Sequence, residues 1–274
     1  MRSKIAQMDI DHVRRITKSA LPRIAVLYAI LILFPVEYRV TRLATVFGGL
    51  GIWAAALHLW WRCKRMRIAL LAPITLAAVC LLLPSREASP TTLRADYVTI
   101  LKAYGHARYV WGGESPLGID CSGLVRKGMV WGPIINGIRT FNGGPIRDGV
   151  WLWWTDFTAK ALQDGYRNLA VPLFKSESVN NADQNSLDEG DLAVTSDCIH
   201  VMVYIGDRTW IEADPDLKRV VQQTVPTQNR WFRVPVTLMR WQVLREKETR
   251  TSPDAPHGFR DFDRSAPPKR KGYK

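Results

Sequence analysis

The chain has 274 residues, a formal net charge of +13 and a hydrophobic fraction of 47%. That is too long for one small domain and too apolar for a disordered polyelectrolyte. Nucleic-acid binding is a weak reading of the charge, because Arg14, Arg15, Lys18, Arg62, Lys64, Arg65 and Arg67 all lie beside apolar runs, where basic residues set membrane topology.

Three apolar runs open the sequence: Leu21–Val36, Leu43–Trp61 and Ile68–Pro84. Each approaches the roughly 17–20 residues that a helix needs to cross about 30 Å of hydrocarbon. They are apolar all round rather than along one stripe, which favours membrane spans over buried core helices. No single apolar region with a small-residue cleavage site follows a short basic start, so a cleavable signal peptide fits poorly. The N-terminus is basic, and "RCKRMR" between runs two and three carries four basic residues, whereas "EYRVTR" between runs one and two has a net charge of about +1. The positive-inside rule then leaves the N-terminus and second link inside, and the first link and everything after Pro84 outside. Gly48, Gly49, Gly51 and Ala55 are small enough for close helix packing.

The remainder divides in two. Residues 87–246 read as a soluble domain behind a membrane domain at 1–86. The stretch 247–274, closing in "PPKRKGYK", has little to bury and reads as a disordered basic tail. Helical spacing runs from Leu93 to about Gly105 and resumes in "DCSGLVRKGMVW" at Asp120. Between them "GHARYVWGGESPLGID" is crowded with turn residues. Downstream, "DLAVTS", "IHVMVYIG", "TWIEA", "RVVQQTV" and "VTLMRWQVL" alternate and are rich in β-branched residues, as strands of an antiparallel sheet are. Helices followed by a run of strands give an α+β class.

The chemistry centres on Cys121. Asp120 is a good helix N-cap, which sets Cys121 on the first helical position, where the positive end of the macrodipole favours a thiolate. A lone cysteine is usually a buried structural thiol, but the polar neighbours Asp120 and Ser122 argue against that here. The four cysteines have neither a disulfide framework nor the paired spacing of a zinc site, and no metal or organic cofactor is implied. A nucleophilic thiol needs a base and an orienting partner for that base. Of five histidines, His12 and His58 lie in the membrane half and His257 in the tail, leaving His106 and His200. Glu212 lies twelve residues after His200. A three-residue hairpin loop, Gly206-Asp207-Arg208, would pair Met202 with Glu212 and set His200 diagonal to it on the same face. A two-residue loop would put them on opposite faces.

These residues resemble the NlpC/P60 family of papain-like cysteine peptidases. The match runs through Y-x-W-G-G at Tyr109–Gly113, D-C-S-G at Asp120–Gly123, G-D-L at Gly190–Leu192 and H-V-x-x-Y-I-G at His200–Gly206, then Glu212. The resemblance implies a papain-like α+β fold with Cys121 as nucleophile, His200 as base and Glu212 as orienting third member. It sets Tyr109, with Asp120 and Ser122, near the substrate or oxyanion. It also implies peptidoglycan stem peptides as substrate, often cut at the D-γ-glutamyl–diaminopimelate bond, in a periplasmic or extracellular domain held at a bacterial inner membrane. Membrane lipid is then the other partner. Two departures stand out. The third residue is commonly histidine in the peptidoglycan endopeptidases, and "WGPIINGIRTFNGGPIRDGVWLWWTDF" replaces the family's usual segment, with Trp151, Trp153 and Trp154 as groove-lining, core or membrane-proximal residues. A membrane-bound acyltransferase or lipid hydrolase is a rival, but its permuted relatives place histidine before cysteine. A non-catalytic binding module would lack a triad member. Cys198, two residues before His200, would share its strand face.

Overall fold

A computed structural model describes residues 2–155 and 157–245; the tail expected at 247–274 lies outside the described residues. Helices α1 (Arg2–Leu33), α2 (Arg39–Trp60) and α3 (Lys64–Leu82) come first. The segments Arg14–Leu33, Arg39–Trp60 and Lys64–Leu82 are long and apolar enough to cross a membrane, and most of their large apolar side chains are exposed to the surroundings. Helix α1 continues through Pro22 and starts far before the apolar run. The ring of Tyr28 lies against Gly48 and Gly49, and its hydroxyl donates to Thr45 O at 2.9 Å. Any side chain at Gly49 would collide with that hydroxyl, which is why small residues stand there. Gly51 faces open space.

The remainder begins with α4 (Pro90–Ala103) and α5 (Cys121–Arg139), joined by a loop carrying the short ribbon β1 (Glu114–Ser115) and β2 (Gly118–Ile119). Helix α5 extends beyond the reach of the motif and turns at Thr140–Asn142 into α6 (Gly143–Trp154), an antiparallel hairpin built from the stretch where the sequence departs from the family pattern. The short α7 (Ala159–Gln163) follows. The six-stranded sheet comprises β3 (Ala170–Ser176), β4 (Leu192–Thr195), β5 (Val201–Tyr204), β6 (Thr209–Asp214), β7 (Arg219–Thr224) and β8 (Val236–Trp241), in spatial order β3-β8-β4-β5-β6-β7. All its pairings are antiparallel. Strand β3 was not evident in the sequence: it carries Pro172 and an irregularity between Pro172 and Phe174, both tolerated because it is an edge strand.

The alternation of the strands splits the core. Val201, Val203, Ile211 and Ala213 face α4 and α5, together with Tyr97, Leu124, Val125 and Trp241. Met202, Tyr204 and Trp210 face the other way, onto Val179, Leu187, Trp231 and Phe232. Sealing both faces of the central strands lets their ends hold polar groups out of bulk water.

The two halves meet through charges. In the link between α1 and α2, Val36 bridges Gly113 and Pro35 O accepts from Glu114 N at 2.8 Å. Lys127 donates to both oxygens of Glu37 at 3.1 Å. Glu114 takes Arg126 and, at 3.2 Å, Arg42, which is 2% exposed. Arg126 also donates to the carbonyls of Leu152, Trp153 and Thr155 at the end of α6. The first link is therefore part of the packing around the turn-rich loop.

Candidate active site

The loop 107–120 is pinned on three sides. Tyr109 N donates to Lys218 O and Val220 N to Ala107 O, tying it to β7, while Val110 N donates to Ile119 O within the loop. Gly112 takes φ +71, the left-handed region that favours glycine, and its N–H donates to Asp120 Oδ2 at 2.8 Å. Asp120 Oδ1 accepts from Gly123 N at 2.6 Å and from the Ser122 hydroxyl at 3.0 Å. Asp120 is thus the N-cap of α5, and both its oxygens, with the Ser122 hydroxyl, are engaged in the loop–helix junction. Gly123 is needed because the Gly113 carbonyl presses on α5 where a side chain would stand.

This clamp fixes Cys121 as the first residue of α5, mostly buried, with Sγ 3.8 Å from Ile199 O. As a first-turn residue its N–H has no intrahelical acceptor and points out of the helix end. Ile199 immediately precedes His200, so the thiol lies near that ring, close enough to help raise its pKa. The other side of that ring is held by Glu212, with Nε2 to Oε2 at 2.5 Å and both side chains essentially inaccessible. Glu212 on Nε2 leaves Nδ1 for the sulfur.

The hairpin explains how His200 and Glu212 meet. Val203 pairs with Ile211 and Tyr204 with Trp210, and Ile205 N donates to Thr209 O, so the loop is Gly206-Asp207-Arg208. Its odd length sets Met202 opposite Glu212 and His200 diagonal to it. His200 immediately precedes β5, in a tight turn where its N–H donates to Thr195 Oγ1 at 3.0 Å and its carbonyl accepts from Thr195 N. Cys198 lies in that turn at φ +62, not on the strand, and its Sγ is directed to Gln163 Oε1 at 3.2 Å. Among the described residues all four cysteines are free.

Burial alone would push His200 down; its interactions with Cys121 and Glu212 outweigh it and raise the ring to about 9. Burial pushes Glu212 up, against the opposing pull of the ring, and Asp214 and Asp216 push it further. Tyr109 is raised by burial first and then by the charges of Cys121, Asp120 and Asp214.

Two contributors were missed in the sequence. Asn229 Nδ2 donates to Glu212 Oε1 at 2.9 Å and to Asp214 Oδ2 at 2.7 Å, holding the carboxylate that holds the ring. Trp231 stacks on His200 with centroids 4.4 Å apart and 25° between planes. Arg230 in turn sits over the indole at 4.3 Å. Both Asn229 and Trp231 come from the turn before β8, where no periodicity marks them. His106, the other histidine of the soluble half, is in a left-handed turn after α4 and is not joined to this site by any described bond.

A thiol on a helix N-terminus, an imidazole and a buried carboxylate on an antiparallel sheet are the groups that nucleophilic thiol chemistry requires. No protein-family profile matches the chain. The dipeptidyl-peptidase 6 of Lysinibacillus sphaericus is 29% identical over 124 residues, which are 41% of this chain and 44% of the relative. The chain thus spans less than half the length of that curated relative. Solved structures include an NlpC/P60 family protein from Bacillus cereus, 20% identical, with 58% of this chain and 41% of that one covered at a TM-score of 0.36. The peptidoglycan hydrolase RipB of Mycobacterium tuberculosis is also 20% identical, with coverages of 54% and 65% and a TM-score of 0.34. By its motifs and the order of its elements, the soluble half is similar to NlpC/P60 domains.

Proposed function

We propose that the protein is a membrane-anchored cysteine amidase that hydrolyses an amide in peptidoglycan stem peptides, of the D-γ-glutamyl–diaminopimelate type. The observation that carries this reading is the 2.5 Å pairing of His200 with Glu212 beside the Cys121 thiol, whose Sγ lies 3.8 Å from the carbonyl of Ile199, the residue before His200. The Cys121 proton passes to His200 Nδ1, and the thiolate attacks the amide carbon. The oxyanion is met by the Cys121 N–H at the head of α5. The imidazolium then protonates the departing amine, leaving an acyl thioester. Water gives a proton to the same ring, attacks the thioester and releases a carboxylate and the free thiol. Glu212, fixed by Asn229, keeps the ring oriented throughout. The cell-wall substrate follows from the family resemblance of the motifs.

The membrane reading has support beyond hydropathy. The basic residues leave the α1–α2 link and the domain after Pro84 on one side of the bilayer, and this link and domain are the parts joined by Glu37–Lys127 and Arg42–Glu114. That side is the periplasmic or extracellular one.

The test is mass spectrometry of muropeptides incubated with the full chain in reduced, detergent-solubilised form. Two stem-peptide fragments whose masses sum to that of the parent plus one water are expected, together with a transient acyl adduct on Cys121. Intact muropeptides at high enzyme concentration would sink the reading.

The pH profile provides a separate check. Because the ring must carry a proton to release the amine, kcat/KM should hold through neutrality and fall as pH rises through about 9. The His200 interactions also stabilise the fold; since its pKa is raised above 6.5, that contribution is complete below 6.5 and is lost as pH rises through about 9. Glu212→Gln removes the carboxylate charge that helps raise the ring, so the alkaline limb should move to lower pH. An unmoved limb would assign the titration to another group.

A further inference from the structure

The hairpin of α5 and α6 carries an apolar face that the catalytic reading does not use. Gly149 lies against Val130 and Ile134, and Gly137 lies against Ile146, so these residues form the seam between the helices. At about 100° per residue, Trp131, Ile135 and Ile138 lie roughly a quarter-turn from the seam on α5. Val150 and Trp154 lie a quarter-turn from it on α6, in the same rotational sense. In an antiparallel pair, equal rotation sets both rows on one side of the hairpin. All five are exposed, and Phe141 at the hairpin tip is 71% exposed. Buried catalytic-domain surface would not look like this, and isolated exposed apolar residues need no account, but a contiguous row does.

What lies next to this face is the end of a candidate membrane span. Arg147, on the same side of α6, donates to Leu81 O at 2.6 Å and Leu83 O at 2.8 Å, at the end of α3, and to the Ser85 hydroxyl. Gly143 N donates to Pro84 O, while Asn142 exchanges hydrogen bonds with the Arg86 backbone. The tip of the hairpin is therefore gripped at the exit of α3. Near the other end of α5, Lys127 is gripped by Glu37 in the α1–α2 link. Both grips lie at span ends on the same side of the bilayer, so α5 runs along the bilayer rather than away from it.

We propose that the α5–α6 face, Trp131, Ile135, Ile138, Phe141, Val150 and Trp154, is seated in the outer lipid leaflet at the headgroup–acyl boundary. The inference rests on the membrane-anchored reading of the protein. Tryptophan rings favour that depth, and Arg147 is placed to keep its charge at the headgroups while its stem covers the end of α3. An amphipathic face in this position sinks roughly 5–10 Å into the boundary. The soluble domain is then bound to the bilayer by its own surface as well as by its three helices, which fixes its tilt.

Spin labels test this in the full chain reconstituted in lipid nanodiscs. In a background with the four native cysteines replaced by serine, single cysteines are placed at Ile138, Val150, Phe47 and Gln222 for labelling. Collision with oxygen, enriched in the bilayer, is compared with collision with a water-soluble nickel chelate. Labels at 138 and 150 should favour oxygen several-fold over the label at 222, and approach the label at 47 in the α2 span. Nickel dominating at 138 and 150, with oxygen dominating at 47, would overturn the proposal and leave the spans standing. Nickel dominating at 47 too would bring down the spans themselves. Labels at 138 and 150 shielded from both reagents would place a protein, such as a second copy, on the face instead, and would equally overturn it.

Discussion

Replacing Cys121 with alanine is expected to abolish amide hydrolysis, lowering kcat/KM by a factor on the order of 10⁴ or more, while leaving the fold intact. The side chain is small, and Asp120 still caps α5 through Gly123 N. The one hydrogen bond described for Sγ is to the Ile199 carbonyl, at 3.8 Å, and its loss removes only part of what raises the His200 ring. Cys121→Ser should be nearly as inactive, because a hydroxyl does not hand its proton to this imidazole to form a stable ion pair as a thiol does. His200→Ala should match the cysteine variant, and the double variant should be no worse than either, since the two residues act as one unit. The comparison is made on kcat/KM for the variant chains and on their thermal midpoints. A Cys121→Ala chain within tenfold of the parent would move the nucleophile elsewhere. The nearest candidate in sequence to His200 is Cys198, but its thiol is turned to Gln163.

How much of the fold and site is legible in the sequence depends on whether the signal is local. Helices α4 and α5 show in apolar spacing, and five of the six sheet strands in alternation. Cys121 shows through its cap, because Asp120 and the helix it starts are adjacent in the chain. The meeting of His200 with Glu212 is legible as a condition on loop parity, and the turn at Gly206-Asp207-Arg208 satisfies it. Asn229 and Trp231 have no such handle. They reach Glu212 and His200 across the sheet from a short turn, and an Asn or Trp in a turn is ordinary. The α5–α6 hairpin is obscured by Pro133 and by the glycines that close its seam, which read as loop signals although their small size is what lets the helices touch. Least visible is the docking of the first link. Glu37 and Lys127 are 90 residues apart in the chain, and no periodicity connects them.

That docking predicts the largest effect on stability. Glu114 is the anion among Arg42, Arg126 and Lys127, and its anionic companion there is Glu37. Glu114→Ala would leave three mostly buried cations facing one partly exposed carboxylate. Removing one partner of a buried pair costs about 3–5 kcal/mol, and this change removes the partner of two arginines together. Arg126→Met should cost less in charge, because Glu114 keeps Arg42 and Lys127; its loss falls on the carbonyls of Leu152, Trp153 and Thr155. Glu37→Gln, at a more exposed position, should cost no more than about 1 kcal/mol. Ranking the apparent thermal midpoints of the three chains in one detergent checks the order, with Glu114→Ala lowest. The consequence reaches the catalytic end, because Glu114 follows Gly113, whose carbonyl accepts from Asp120 N and packs against Gly123. Loss of Glu114 should therefore lower kcat at temperatures where the fold persists. A Glu114→Ala chain with parental midpoint and parental kcat would mean that the N-terminal helices and the loop before Cys121 are neighbours without being coupled.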